Sequence, residues 1–325
     1  MTKKRNESLD IAKGFAIIPV VLAHTISPVM EGHRIISWLY ITIYGIILPL
    51  FFFTSGYLST KLVTKPVSRL ELTKQRAPRL LIPYAVWALI YLPMKTVMSE
   101  HVRFQSEYKW YSFFLGNNPD GQLWFLYVMF IVSMIAILFV TEKNLTIFTT
   151  IFLIASVFAP AIPHSIGFTS IALNFSLFQI GFFFLGIVVS LKCDYKKITN
   201  NKLMFTISTI LLVAYGAILF INQARIWYLE AIASVCLIYS TMFISNRICK
   251  TKLSKPLSYL GKKSMEIYIL HAPILVVGRI IFTKLIPNAN LYVITMTTVA
   301  IGLSILIHII INKIKIAKLL LFGAK

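Results

Sequence analysis

Ten stretches of this 325-residue chain stay apolar long enough to cross the roughly 30 Å hydrocarbon core of a bilayer. They lie near residues 14–30, 35–58, 80–98, 123–140, 145–163, 169–191, 203–221, 226–245, 264–282 and 291–312. At that depth no water satisfies the backbone, so a spanning segment must close its own hydrogen bonds, and runs of this length do so as helices. The expectation is an all-α integral membrane protein: a bundle of about ten transmembrane helices, one domain over residues 1–325, with no appended soluble domain. Composition agrees, because 58% of the residues are hydrophobic and only 13% charged, too few to cover a soluble fold of this size.

The net charge of +21 invites a nucleic-acid reading, but its distribution argues for none. With a cytoplasmic N-terminus, 25 of the 32 Lys and Arg residues fall in the inner segments 1–13, 59–79, 141–144, 192–202, 246–263 and 313–325. The outer segments hold five: Arg34, Arg103, Lys109, Arg225 and Lys284. This is the positive-inside pattern, and it places both termini in the cytoplasm. Attraction to anionic membrane lipid follows from the same charges. The basic start at Lys3, Lys4 and Arg5 lacks a small-residue cleavage site downstream, so the first run reads as a retained helix. Cys193, Cys236 and Cys249 show neither metal spacing nor the density of a disulfide scaffold.

Polar residues inside the runs are the candidates for chemistry. Lys13 and His24, eleven residues apart, share a helix stripe with Asp10 and Ser27. An ionisable group at membrane depth is costly, so His24 either serves chemistry or is tied to a partner on another helix. Asp10 and Lys13, spaced i,i+3, can pair as anchors at the cytoplasmic mouth. In the ninth run Ser264, Tyr268 and His271 share one stripe while Glu266 points elsewhere, which suits either chemistry or interhelical hydrogen bonding. Arg76 and Arg79 bracket Pro78 at the cytoplasmic entrance of the third helix, where two guanidiniums can grip a phosphate and the proline stiffens a turn. Basic loops are also ordinary on that side.

The outer loop near 99–122 mixes Glu100, Glu107, Trp110, Asn117, Asn118, Asp120 and Gln122, a composition suited to a wet, sugar-accepting wall. Trp124 follows it and also fits an aromatic belt. Asn174, Gln179 and Glu230 are further polar positions within runs. Pro19, Pro49, Pro93 and Pro273 predict kinks. His33, His101, His164 and His308 look peripheral, and nothing spaces like a metal site, a phosphate-binding glycine loop or a serine elbow.

Five of these segments, in order, resemble the acyltransferase-3 family of membrane O-acyltransferases. They are Leu9-Asp10-Ile11-Ala12-Lys13-Gly14 running on to His24, Phe52-Phe53-Thr54-Ser55-Gly56-Tyr57, Arg76-x-x-Arg79, Leu123-Trp124-Phe125-Leu126, and Leu260-Gly261 through Ser264 to Tyr268 and His271. The family opening is Arg-x10-His; here Lys13 stands in the Arg position, similar to a branch near sugar and polysaccharide O-acetylases, and a lysine cannot form a bidentate clamp.

The resemblance implies transfer of an acyl group, acetyl first, from cytosolic acetyl-CoA to a hydroxyl of a cell-surface glycan or lipid-linked sugar, with no metal. His24 would be general base or acyl relay, with His271 and Tyr268 beside it. Arg76, Arg79, Lys13 and Asp10 would serve the acyl-CoA side, and Trp124, Asp120 and Glu230 the acceptor. Tyr268, His271 and Glu230 are the candidates to orient His24. The Lys- and Ile-rich composition points to a bacterial plasma membrane. A polysaccharide exporter without acyl transfer is the other reading, because kinked helices and central polar residues would serve it too. A monomer is permitted, and the acceptor is not legible.

Overall fold

A computed structural model describes residues 6–97, 113–114, 116, 122–159 and 171–323. Among these the secondary structure is entirely helical. In chain order the helices are α1 (Glu7–Ile26), α2 (Arg34–Ile46), α3 (Leu48–Tyr57), α4 (Lys61–Thr64), α5 (Arg69–Val97), α6 (Trp124–Phe139), α7 (Leu145–Phe158) and α8 (Ile171–Lys192). There follow α9 (Tyr195–Ile198), α10 (Lys202–Asn222), α11 (Trp227–Ile248), α12 (Ser254–Lys262), α13 (Ser264–Leu285), α14 (Ala289–Ile311) and α15 (Lys315–Phe322).

Where they are described, the apolar runs fall largely on helix. Among the described residues six segments are long and apolar enough to cross a membrane: α1, α2 with α3, α10, α11, α13 to Phe282, and α14. α6, α7 and the end of α8 are shorter apolar helices. The second run is two helices meeting at Ile47, because Pro49 has no N–H to donate and its ring crowds the carbonyl four residues back. α5 begins at Arg69, well before its apolar run, so Arg76, Pro78 and Arg79 lie within a helix and not in a stiff turn before one. α12 and α15 arise in basic segments that read as plain inner loops.

The chain forms two compact units, one of residues 1–58 and 182–305 and the other of 59–181 and 306–325. In the first, α1 is the central element, packed by α2, α3, α11, α12 and α13. Ile11, Ala12, Ala16, Ile17 and Val21 are wholly enclosed. Its start is capped by the Asn6 side chain, which accepts from the Ser8 N–H and from the Ser8 hydroxyl. That commits the Ser8 proton, so the Tyr195 hydroxyl donates to Ser8 Oγ at 2.6 Å. Burial pushes the Tyr195 phenol up, keeping it a donor.

Glycines set the closest approaches. A Cβ on Gly14 would overlap the Leu257 carbonyl, and one on Gly261 the Asp10 carbonyl, so α1 and α12 cross backbone to backbone. Gly56 and Gly186 do the same for α3 and α8, against the Phe183 and Phe53 carbonyls. These are van der Waals seats of the kind that hold helices together in lipid, where apolar burial gives no advantage. Ile210, Leu211 and Val213 of α10 and Leu303, Leu306 and Ile310 of α14 remain exposed, as lipid-facing surfaces do.

In the second unit α5 packs on α6 and α15 returns to α5. The Trp87 indole N–H donates to the Leu321 carbonyl at 2.9 Å. Gly323 caps α15 at φ +61° against the Arg79 backbone, a conformation and a proximity that both require glycine.

Candidate functional site

α1 presents its polar stripe as the 3.6-residue period demands. At one end Lys13 Nζ lies 3.0 Å from Asp10 Oδ1, the i,i+3 pair, with the carboxylate almost wholly buried. His24 stands fourteen residues further on, about 21 Å along the axis, so Asp10 does not orient it. The neighbour of His24 comes from α13. The His24 and His271 ring centroids are 5.1 Å apart, at an interplanar angle of 54°.

The two imidazoles differ in access. His24 is half-buried, whereas His271 has no exposed surface. His271 Nδ1 lies 3.0 Å from the Ile267 carbonyl oxygen one turn back. Tyr268, also buried, has its ring 6.0 Å from His271. Ser264 is buried on the same helix, and Glu266 turns aside to Lys263 Nζ at 3.9 Å. The ninth-run stripe therefore faces the protein interior and meets α1 through its histidine.

Glu230 stands apart from this pair, in an ion pair with Arg225. Arg225 Nε and Nη2 contact its two carboxylate oxygens at 2.7 and 2.5 Å. Burial alone would lower the Arg225 pKa, but the hydrogen bonds and charge of Glu230 raise it instead. A Cβ on Gly45 would lie 3.0 Å from both the Glu230 carboxyl carbon and the Tyr215 hydroxyl, so the absence of a side chain there makes room for the pair. This clasp ties the α10–α11 connection to α2, and the sequence showed no sign of it, since Arg225 read as an outer-loop charge.

In the second unit, Arg76 and Arg79 are one turn apart on α5. Arg76 Nε donates to Ser133 Oγ at 3.0 Å and Nη2 to Ser59 Oγ at 3.1 Å. Ser133 passes its own proton to the Met129 carbonyl at 2.7 Å. Burial, reinforced by the charge of Arg79, holds the Arg76 guanidinium down at about 10, still charged at neutral pH. Arg79 is exposed. Among the described residues neither arginine forms an ion pair with a carboxylate. Two hydroxyls thus orient the Arg76 fork. Ser59 and Ser133 were missed in the sequence because nothing in their spacing links them to Arg76.

Trp124 opens α6, half-buried, with its ring 6.4 Å from Phe125. Gln122 is buried. Asp120, like Glu100, Glu107, Trp110, Asn117 and Asn118, lies outside the described residues.

The family model described as an acyltransferase domain matches residues 6–309, nearly the whole chain. The chain is also 27% identical over 163 residues to the nodulation protein NolL of Mesorhizobium japonicum, a match covering 49% of this chain and 43% of that protein. It thus spans under half the length of that relative. No solved structure matches. The family match takes in the α1 stripe, the paired arginines of α5 and the histidine of α13, and on that basis the chain belongs to the acyltransferase-3 family of integral membrane acyltransferases.

Proposed function

We propose that this protein moves an acyl group, acetyl first, from cytosolic acyl-CoA to a hydroxyl of a cell-surface glycan or its lipid-linked precursor. The observation that carries the reading is the half-buried His24 on the central helix, backed by a sealed His271. Family membership supports the reaction class.

An imidazole near neutrality can take the proton of a sugar hydroxyl while that oxygen attacks the thioester carbonyl. The new C–O bond forms as the C–S bond breaks. The proton then passes from His24 to the departing sulfur, releasing CoA as the thiol and His24 as it began. In the relay variant the His24 nitrogen attacks the thioester carbonyl and the C–S bond breaks to release CoA as thiolate. The hydroxyl oxygen then takes the acyl group as the C–N bond breaks, and its proton passes to the thiolate.

Arg76 is suited to the phosphates of the donor, since its fork is held by two serines and no carboxylate among the described residues pairs with its charge. Arg79 adds a second, exposed charge one turn away. The sequence charge pattern supports a cytoplasmic location for both, within a ten-span plan in a bacterial plasma membrane with inner termini. Trp124 and Asp120 remain candidates for the acceptor side.

The test uses membrane vesicles with wild type or His24→Ala at matched expression. Acetyl-labelled CoA is supplied to the cytoplasmic face, and label is followed into glycan. Label lost with the variant supports the reading. Equal label in both would sink His24, and glycan that crosses unlabelled would make the protein an exporter.

A further inference from the structure

α5 runs for 29 residues and carries three prolines, Pro78, Pro83 and Pro93. A helical carbonyl takes its hydrogen bond from the N–H four residues further on, and a proline has none to give. Pro83 therefore withholds the ordinary helical bond from the Arg79 carbonyl. The ladder of α5 lacks a rung just where the paired arginines end, and a helix bends most easily at such a place. Arg76 is anchored through its side chain by Ser59 and Ser133. Arg79 is exposed, so its place is set through its backbone.

The end of α15 comes to that backbone. Three successive residues there each meet a different neighbour. The Leu321 carbonyl accepts the Trp87 indole N–H at 2.9 Å. Phe322 is buried, with its ring 5.4 Å from that of His308. Gly323, at φ +61°, lies so close to the Arg79 carbonyl that a Cβ would overlap it. Arg79 and Trp87 stand four residues to either side of Pro83, about 12 Å apart along the axis. α15 thus touches α5 on both sides of the missing rung, as a splint does. Packing alone would be served by Phe322, and would need neither this glycine nor this proline.

We propose that the end of α15 is a positioning element for Arg79: Gly323 seats against the carbonyl that Pro83 deprives of its helical donor, and Leu321 ties the far side of the break through Trp87. The turn of α5 that presents Arg79 beside Arg76 is thereby held at one angle. The inference rests on the reading of the two arginines as the grip on the donor phosphates, and it names what holds the second of them. With the splint seated, the Arg79 charge is near enough to act on the Arg76 guanidinium. Two like charges at that range gain from one shared phosphate. With the splint lifted, α5 can bend at Pro83 and the exposed arginine drifts from the anion.

The experiment measures the Kd and the number of sites for coenzyme A on the purified chain in detergent. Gly323→Ala puts a methyl into the Arg79 carbonyl and should raise Kd about tenfold. A merely structural loss would lower the number of sites and leave their affinity unchanged, and that result overturns the proposal. Pro83→Ala supplies the rung, so α5 holds its own angle. In that background Gly323→Ala should change Kd by no more than about threefold. The same ratio in both backgrounds overturns the proposal. Should Gly323→Ala fail to fold, Trp87→Phe removes the other anchor and keeps an aromatic ring. It should raise Kd about threefold, and an unchanged Kd overturns the proposal. Arg79→Gln separates the two levels. Wild type that does not bind coenzyme A, or an unchanged Kd for Arg79→Gln, sinks the donor role of Arg79 and this inference together. A Kd raised by Arg79→Gln but not by Gly323→Ala removes the inference alone.

Discussion

Arg225 grips both carboxylate oxygens of Glu230 across the short connection between α10 and α11, yet the partners are buried very unequally. The arginine side chain is 41% exposed and the glutamate 1%. Removing one partner therefore does not mirror removing the other. Arg225→Ala strands a carboxylate in the interior, while Glu230→Gln leaves a cation that water can reach. The expected loss is about 2–3 kcal/mol for Arg225→Ala, discounted from a fully buried pair, and about 1 kcal/mol for Glu230→Gln. Thermal unfolding of the purified chain in detergent reads the difference, and equal losses would contradict the lopsided burial.

The α1–α12 crossing makes a prediction with a built-in control. Gly14→Ala or Gly261→Ala drives a methyl into a neighbouring backbone carbonyl, which cannot rotate aside as a side chain can. Each should cost about 2 kcal/mol or more. Gly302 on α14 has nothing within 4 Å of an added Cβ, so Gly302→Ala should stabilise by up to about 1 kcal/mol. The same melts in detergent decide it.

Arg76 should act on donor affinity. Arg76→Lys keeps the charge but cannot hold both serines and present a fork to an anion. The expected outcome is a rise of about tenfold in KM for acyl-CoA with kcat nearly unchanged, the size of about one charged hydrogen bond. An unchanged KM would leave Arg76 as a strut between α5 and α6. Ser133→Ala should show a smaller rise in the same direction.

Trp87→Phe removes the indole N–H that holds the Leu321 carbonyl at the end of α15. The cost should be about 1 kcal/mol, felt locally. Hydrogen exchange should speed up in α15 and leave α6 unaffected, and uniform acceleration would mean that the bond supports the whole unit.

Much of the helix plan was legible in the sequence, because uninterrupted apolar length is a local property that needs no partner. The Asp10–Lys13 pair was legible for the same reason, being three residues apart on one helix. The break at Ile47 was foreshadowed by Pro49. α12 and α15 were not, since short amphipathic helices with lysines on one side look like basic loops. Which of Tyr268, His271 and Glu230 would lie beside His24 stayed open in the sequence, because adjacency between α1 and α13 depends on tertiary packing, to which no spacing rule applies. The Arg225–Glu230 pair was not legible, because its partners lie across a turn, where helical periodicity says nothing.

The position of α1 bears on how such a chain is made. α1 is made long before α12 and α13, two of the helices that pack against it. Until Ser254 and the residues after it are synthesised, the Gly14 notch has no backbone to seat against and His24 has no ring beside it. A chain stalled before α12 should remain unassembled and open to proteolysis, so the meeting of His24 with His271 waits for α13 to be made.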